Sequence, residues 1–352
     1  MLIIEISFKL SLNFLFIILY YIMIVNDFIR FFLIYEIVFI LIMFSILVLG
    51  YRFERLMAGY LIIFYSFLFS SPALIIIIIF DHIFLIKSWL SYSVIINYFL
   101  VGSFIVKFPI FGFHYWLPVA HVEASTVGSM ILAGVLLKLG GIGIYYLVSY
   151  LNFIVKFHWL SLRVPLLMLI ILLISDLKIL IAYSSVAHIR MVFYVLSLGR
   201  IIRKKGVLII IIYHGFISPL IFWLVGILAW WKTRSLIVVK ILSMSNLFLL
   251  VIFFLFILNI GFPPFIGFIR EIFILKSVLL IPVSLSILVL GVLFSCYYNV
   301  YLFWCFNNII GIVFKLNFYS LDLFLFLFII LVINFYWLKC FTWHIVVMSI
   351  FQ

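Results

Sequence analysis

Apolar runs recur from one end of the chain to the other, and each is about 20 residues long, enough for a helix to cross ~30 Å of hydrocarbon. Runs such as 74–80 (LIIIIIF) lack the alternation of polar and apolar residues found in the strands of a transmembrane barrel. Only 9% of the 352 residues are charged, whereas soluble domains carry about 25%. The sequence therefore excludes a water-soluble protein and predicts an all-α polytopic membrane protein.

Short polar breaks divide the chain into about eleven predicted spans, which form a single integral membrane domain over residues 1–352. The first run continues to Val25 without a small-residue cleavage site, which favours a retained helix over a removable signal. The stretch 339–352 is too short to span, so we expect it to lie at an interface. The predicted spans are 2–25, 28–50, 57–80, 89–113, 127–148, 164–176, 179–199, 206–230, 241–275, 280–306 and 320–338.

The net charge of +13 is spread thinly between the apolar runs, so it does not indicate a surface that binds nucleic acid. We expect the one basic cluster to occupy a loop that faces anionic phospholipids such as cardiolipin. The three cysteines lack CxxC spacing and a nearby His/Asp set, so neither a metal site nor an iron–sulfur cluster is predicted. The basic cluster comprises Arg200, Arg203, Lys204 and Lys205.

Four charged residues stand alone inside long apolar stretches: Glu36, Lys107, Lys138 and Glu271. A charge at membrane depth costs at least ~2.5 kcal/mol, so such residues normally mark an ion or proton path. Two are acids, two are lysines, and each lies in a different predicted span. This pattern predicts a protein that handles protons.

Two of these charges adjoin prolines. Lys107 is followed at once by Phe108-Pro109, and Glu271 follows the Gly-Phe-Pro-Pro stretch 261–264. Proline removes a backbone donor, so we expect both helices to break at membrane depth, where breaks line a buried or hydrated cavity. An ordinary proline kink is the alternative. For Glu271 a second alternative is local neutralisation, or anchoring at an interface, by the adjacent Arg270.

Lys138 lies near the centre of the span 127–148, where its stem is too short to reach water. Burial disfavours the charged form of a lysine, so it can switch between neutral and charged forms as a neighbouring charge changes. A static ion pair between helices is the alternative. Glu36 also lies away from its helix ends, and with a lysine within ~4–6 Å the two groups would titrate as a unit.

His188 and His214 fall inside two separate spans, among serine and tyrosine residues. Histidine titrates near neutral pH, so the two residues are candidates for a proton relay. A hydrogen-bonded structural role and axial ligation of a haem are the alternatives. The link 114–123, with two further histidines and a glutamate, has no HExxH-like spacing, and we expect a structured loop at the membrane surface.

Several motifs closely resemble the chain 4 family of antiporter-like subunits of mitochondrial NADH:ubiquinone oxidoreductase, respiratory complex I. They cover most of residues 30–275, and the wordings WLPVAHVEA and LLKLGG separate this family from the related subunits 2 and 5. The motifs are 107–144 (KFPIFGFHYWLPVAHVEASTVGSMILAGVLLKLGGIGI), 54–59 (ERLMAG), 175–188 (SDLKILIAYSSVAH), 213–216 (YHGF) and 261–271 (GFPPFIGFIRE).

The resemblance implies a proton-pumping subunit of the mitochondrial inner membrane that carries no redox cofactor of its own. NADH, FMN, iron–sulfur clusters and ubiquinone are expected in other subunits, and the expected partners are other membrane-arm subunits, such as the antiporter-like subunits 2 and 5. By motif, Glu36 and Lys107 match the family's interacting pair, Lys138 its central lysine, and Glu271 the glutamate of its second broken helix. Two histidines match its central water path, namely His188 and His214.

The chain also departs from the family pattern. One span precedes Glu36 where the family normally has four, so we expect the first three helices to be missing. Arg270 replaces a small residue beside Glu271, which puts the exit role of that glutamate in doubt. A subunit of a cation/proton antiporter complex, which shares the fold and the buried charges, is the alternative function. Three other positions depart, namely Leu41 and Ser125, where a proline is usual, and Val119, where a lysine is usual.

Overall fold

The computed structural model describes residues 13–22, 24–25, 27–49, 54–80, 94–109, 112–151, 170–197, 201–230, 246–263, 265–278 and 282–307. Helices dominate these ranges, because a helix satisfies its backbone hydrogen bonds internally where lipid offers none. In chain order they are α1 Asn13–Ile22, α2 Phe28–Leu49, α3 Glu54–Phe80, α4 Val94–Lys107, α5 Trp116–Glu123, α6 Thr126–Ile131, α7 Leu137–Leu151, α8 Leu177–Ser197, α9 Ile201–Trp230, α10 Asn246–Ile260, α11 Ile266–Val278 and α12 Pro282–Asn307.

Among the described residues, five helical stretches are long and apolar enough to cross a membrane. The predicted all-α, polytopic membrane architecture is therefore confirmed. The predicted span 320–338 and the stretch 339–352 lie outside the described residues, so the count of about eleven spans stays a prediction. The five stretches are Phe28–Val48, Glu54–Ile78, Thr126–Val148, Gly206–Ile227 and Val289–Phe306.

The helices pack around α9. Helix α8, the segment α6–α7, α10 and α11 all contact α9. Helix α3 contacts both α2 and α4, and α4 in turn contacts α7. Helix α8 buries four polar or charged residues, namely Ser184, Ser185, His188 and Arg190. The packing brings His188 of α8 against His214 of α9.

The first predicted break is confirmed. Helix α4 ends at Lys107, and Phe108 and Pro109 follow in a turn. After the break, the indole Nε1 of Trp116 donates a hydrogen bond of 3.0 Å to the carbonyl of Val106. That carbonyl is one of the last four in α4, which have no partner within the helix. The residue that starts the next helix therefore caps the end of α4.

The predicted surface loop over 114–123 is wrong. Residues Trp116–Glu123 form the short helix α5, and its exposed fractions are those of a core element: His121 is 0% exposed and Glu123 is 4% exposed. His114, just before the helix, is also buried. Helix α5 packs against α3 and α8, and this contact explains its burial.

The second predicted break is confirmed as well, so the predicted span 241–275 consists of two helices. Helix α10 ends at Ile260, and α11 begins at Ile266. Gly261 has a φ of +84°, which L side chains rarely adopt, and a Cβ there would lie 3.0 Å from the carbonyl carbon of Gly267. The two helices approach so closely at the break that only glycine fits.

A π-helical turn, Leu132–Leu136, joins α6 to α7 just before Lys138. The amide of Leu137 donates to the carbonyl of Leu132, five residues earlier. Across from this turn, a Cβ on Gly134 would lie 2.8 Å from Cγ of Pro219, so α9 approaches the turn closely. Turns of this kind are rare and occur frequently at functional sites.

The loop predicted for the basic cluster is wrong for three of its four residues. Helix α9 begins at Ile201 and not near 206, so 203–205 belong to its first turns. The side chains of these residues, and Arg200 as a whole, lie outside the described part, and a contact with anionic lipid stays a prediction.

Candidate functional site

Glu36 and Lys107 form an ion pair between α2 and α4. The Lys107 ammonium donates a hydrogen bond to Oε1 of Glu36, 71 positions away in the chain. The Lys107 side chain is 1% exposed and that of Glu36 is 16% exposed. Lys107 is the last residue of α4, where the helix dipole favours a positive charge. Within this chain the carboxylate is therefore the less buried partner of the pair.

Two aromatic rings of α2 flank the same ammonium. Nζ of Lys107 lies 4.6 Å from the centroid of the Tyr35 ring and 4.8 Å from the centroid of the Phe39 ring. A desolvated cation–π contact stabilises a cation by about 2 kcal/mol. The rings therefore stabilise the charged lysine independently of the carboxylate.

Lys138 has three acceptors, none of which is charged. Its ammonium donates to the carbonyl of Ala133, lies 3.0 Å from Nδ1 of His214, and donates to Oγ of Ser218 at 3.1 Å. An ammonium has three hydrogens, so these partners account for all of them. The stem packs on Gly215, where a Cβ would lie 3.4 Å from Cε and Cγ of the lysine.

No carboxylate among the described residues forms an ion pair with Lys138. The alternative of a static ion pair is therefore not what this part of the chain contains. Uncharged acceptors stabilise an ammonium less than a carboxylate does. They leave the lysine able to lose its proton.

The contact between Lys138 and His214 serves either charge state. When the lysine is charged, it donates to Nδ1 of the neutral imidazole; when it is neutral, its lone pair accepts from Nδ1–H. A separation of 3.0 Å is within hydrogen-bond distance, so a proton can cross this contact directly. The arrangement permits reversible proton transfer between α7 and α9.

His188 of α8 extends the contact. Its ring centroid lies 5.4 Å from that of His214, and the planes are inclined by 48°. The two rings and Lys138 line one cavity together with Phe108. Axial ligation of a haem needs the imidazoles on opposite faces of a porphyrin, whereas here the rings contact each other directly and Nδ1 of His214 faces an ammonium. This arrangement favours the relay over the haem alternative.

Glu271 lies at the second break. A Cβ on Gly261 would lie 3.1 Å from Oε1 of Glu271, so the carboxylate packs over this glycine. The hydroxyl of Tyr213 reaches the same break and donates to the carbonyl of Leu258. Tyr213 directly precedes His214, so one helix, α9, contributes both to the break and to the lysine cluster. The side chain of Arg270 lies outside the described residues, and its influence on Glu271 stays a prediction.

The predicted site residues therefore form two close groups, and Glu271 lies at the second break. Glu36 pairs with Lys107, and Lys138 contacts His214, which contacts His188. Between the groups, Phe108 packs on α7, because a Cβ on Gly141 would lie 2.9 Å from its Cε2 atom. The residue after Lys107 thus also lines the cavity beside Lys138.

The sequence did not predict the contacts that His121 and Lys178 make with distant parts of the chain. The His121 ring stacks on Phe222 with centroids 4.3 Å apart, and neither ring nitrogen has a hydrogen-bond partner among the described residues. Lys178 is buried and donates at 3.0 Å to the carbonyl of Ala124, just after α5. The lysine and this carbonyl are 54 positions apart, and no local pattern predicts their contact.

The described residues contain no group of three or more His, Cys, Asp or Glu side chains that could hold a metal ion. Within this part of the chain, Glu36 contacts Lys107, and Lys138 contacts His214, Ser218 and a backbone carbonyl. Proton transfer between them is the chemistry that such contacts support.

Known proteins match the chain at the level of sequence and of fold. The chain 4 protein of NADH-ubiquinone oxidoreductase from Ceratitis capitata is 36% identical over 291 residues. The match covers 78% of this chain and 65% of that protein, so the chain spans less than two thirds of this relative's length.

Two solved structures have the same fold. A chain of respiratory complex I from Thermus thermophilus with bound NADH has a TM-score of 0.69 at 20% identity, covering 80% of this chain and 65% of that one. A chain of the Mrp complex from Dietzia sp. DQ12-45-1b also has a TM-score of 0.69, at 17% identity, covering 80% of this chain and 57% of that one. These likenesses bear on the antiporter-like fold alone.

The family described as NADH:quinone oxidoreductase/Mrp antiporter, transmembrane, matches residues 25–297. This range contains both broken helices and all six predicted site residues. Because it covers more than half of the sequence, the chain belongs to the NADH:quinone oxidoreductase/Mrp antiporter transmembrane family.

Proposed function

We propose that the chain is a proton-translocating membrane subunit of NADH:ubiquinone oxidoreductase in the mitochondrial inner membrane. The relative from Ceratitis capitata carries the name of chain 4 of that enzyme, and this likeness supports complex I over the wider family. The redox chemistry, with NADH, FMN, iron–sulfur clusters and ubiquinone, belongs to other subunits. The neighbours are other membrane-arm subunits, including the antiporter-like subunits 2 and 5, and phospholipids such as cardiolipin.

The contact of Lys138 with His214 carries this proposal. A buried lysine held by uncharged acceptors, with an imidazole at 3.0 Å, is suited to giving up and regaining a proton. A second histidine, His188, contacts the first. A purely structural lysine would be better stabilised by a buried carboxylate.

The mechanism is electrostatic. Protonation of Glu36 removes the negative charge beside Lys107, and the uncompensated ammonium then disfavours a second positive charge on Lys138. Lys138 releases its proton to His214, from which it passes towards His188 and leaves through Glu271. Return of the negative charge to Glu36 allows Lys138 to take up the next proton. Quinone reduction elsewhere in the complex supplies the energy.

A subunit of a cation/proton antiporter complex is the second candidate. The Mrp chain has the same TM-score as the complex I chain, so the fold does not discriminate between the two. NADH-driven acidification across the membrane by a complex that contains this chain supports the first candidate. Sodium transport without NADH-linked turnover supports the second.

The experiment that tests a proton-carrying role is Lys138→Met in the assembled complex. Methionine keeps the length and burial of the side chain but carries no proton. We expect proton translocation per assembled complex to fall at least tenfold, with coupled NADH oxidation falling in parallel. Coupled turnover equal to that of the wild type would contradict the proposal.

A further inference from the structure

We propose that Tyr35 and Phe39 are positioning residues that hold the Lys107 ammonium in place while Glu36 takes up a proton, an inference that rests on the proton-pumping function proposed above. Together the two rings form an aromatic seat for the cation. The seat lies on α2, at the positions directly before Glu36 and three residues after it.

Lys107 has two kinds of partner, a carboxylate and two aromatic rings. Oε1 of Glu36 accepts its hydrogen bond, and the two ring centroids lie 4.6 and 4.8 Å from Nζ. Protonation of Glu36 converts the ion pair into a weaker hydrogen bond to a neutral acid. The negative faces of the rings are unchanged by that proton. The rings are therefore the partners of the cation that persist through the cycle.

Without the rings, Lys107 would not keep its charge and its position once Glu36 is protonated. Its side chain is 1% exposed, so water does not stabilise the ammonium. A buried cation that loses its only strong partner gives up its proton or moves. Either outcome would remove the uncompensated positive charge that the proposed mechanism needs. The aromatic seat prevents both.

Both rings of the aromatic seat are held by further aromatic residues. Tyr35 stacks on Phe104, with centroids 5.7 Å apart and planes inclined by 10°. Phe39 meets Trp116 edge to face at 5.7 Å, and Trp116 donates to the carbonyl next to Lys107 in the chain. The Tyr35 ring is thus fixed by a residue of α4, and the Phe39 ring by the first residue of α5, which is hydrogen-bonded to the end of α4.

The Tyr35 side of the aromatic seat faces α7. The Tyr35 hydroxyl is buried and has no hydrogen-bond partner among the described residues. It lies against Gly140, where a Cβ would be 2.9 Å from the hydroxyl oxygen. Gly140 is two residues beyond Lys138 on α7. The seat therefore borders the helix whose lysine the uncompensated charge is to influence.

The test compares aromatic with aliphatic replacements in the assembled complex. Tyr35→Phe keeps the ring and removes only the hydroxyl, whereas Tyr35→Leu and the double variant Tyr35→Leu/Phe39→Leu remove cation–π contacts but keep apolar bulk. We expect NADH-driven proton translocation within twofold of wild type for Tyr35→Phe and a loss of at least fivefold for the double variant. The double variant Tyr35→Phe/Phe39→Leu, which keeps one ring, should recover part of the proton translocation that Tyr35→Leu/Phe39→Leu loses. Equal translocation in the wild type and the double variant would overturn the seat.

A thermal double-mutant cycle tests the seat without relying on transport. Glu36→Gln imitates the protonated acid, so in that background the rings are the remaining strong partners of Lys107. We expect Tyr35→Leu/Phe39→Leu to lower the inactivation midpoint of the complex more in the Glu36→Gln background than with Glu36 present. Equal shifts in the two backgrounds would overturn the seat. If the wild-type complex did not translocate protons at all, the proposed function would fail, while this cycle would still decide whether the rings hold the cation.

Discussion

Nζ of Lys138 and Nδ1 of His214 lie 3.0 Å apart across the interface between α7 and α9. Lys138 follows a π-helical turn. His214 lies one turn before Ser218, which is the other side chain of α9 that contacts Lys138. The relationship connects a local irregularity of one helix with a titratable group on the next. It is the contact on which the proposed proton transfer depends.

Replacing His214 separates a relay from a simple acceptor. His214→Gln keeps a side chain that can accept from Lys138 but does not titrate near neutral pH. We expect proton translocation in the assembled complex to fall at least tenfold. The control is Ser218→Ala, which removes one hydrogen bond from the ammonium to an uncharged acceptor but keeps the imidazole, and should cause only a several-fold loss. Equal effects of the two variants would show that His214 acts only as an acceptor.

Gly261 should tolerate substitution less than the other described glycine with positive φ. Gly261→Ala places a Cβ 3.0 Å from the backbone of Gly267 and 3.1 Å from Oε1 of Glu271, in addition to the strain of φ +84°. Gly112→Ala meets nothing within 4 Å, although its φ is +98°. Backbone strain alone costs about 1–2 kcal/mol, so we expect Gly112→Ala to lower the inactivation midpoint slightly and Gly261→Ala to lower it much further. The same midpoint for both would contradict the close approach of α10 and α11.

Loss of the cap on α6 should also be measurable. The Ser125 side chain accepts a hydrogen bond of 3.1 Å from the amide of Gly128. Ser125→Ala leaves that amide without its cap, which costs about 1 kcal/mol. Ser125→Asn retains an acceptor at the same position, so it serves as the control. We expect the amount of assembled complex and its thermal midpoint to fall for alanine only, and a matching fall for asparagine would argue against a capping role.

The breaks and the site residues differ in how far the sequence predicts them. Prolines after Lys107 and before Glu271 remove backbone donors beside a charge in an apolar stretch, and this combination predicts both interruptions. Pro72 and Pro219, by contrast, lie inside continuous helices. The burial of α5 depends on its packing against α3 and α8, so local polarity mispredicted it as a surface loop. The contacts of Lys138 join residues up to 80 positions apart, and only the packing of α7 on α9 determines them. The π-helical turn leaves no pattern in the sequence that separates it from an ordinary helical turn.

The most direct test of the central claim is the rate of NADH-driven proton translocation per assembled complex with Lys138→Arg. Arginine keeps a positive charge at the site but does not release its proton at physiological pH. If Lys138 carries a proton, we expect proton translocation in the arginine variant to fall at least tenfold, as in Lys138→Met. A translocation rate per assembled complex equal to that of the wild type in the arginine variant would contradict the account, because a fixed charge would then suffice.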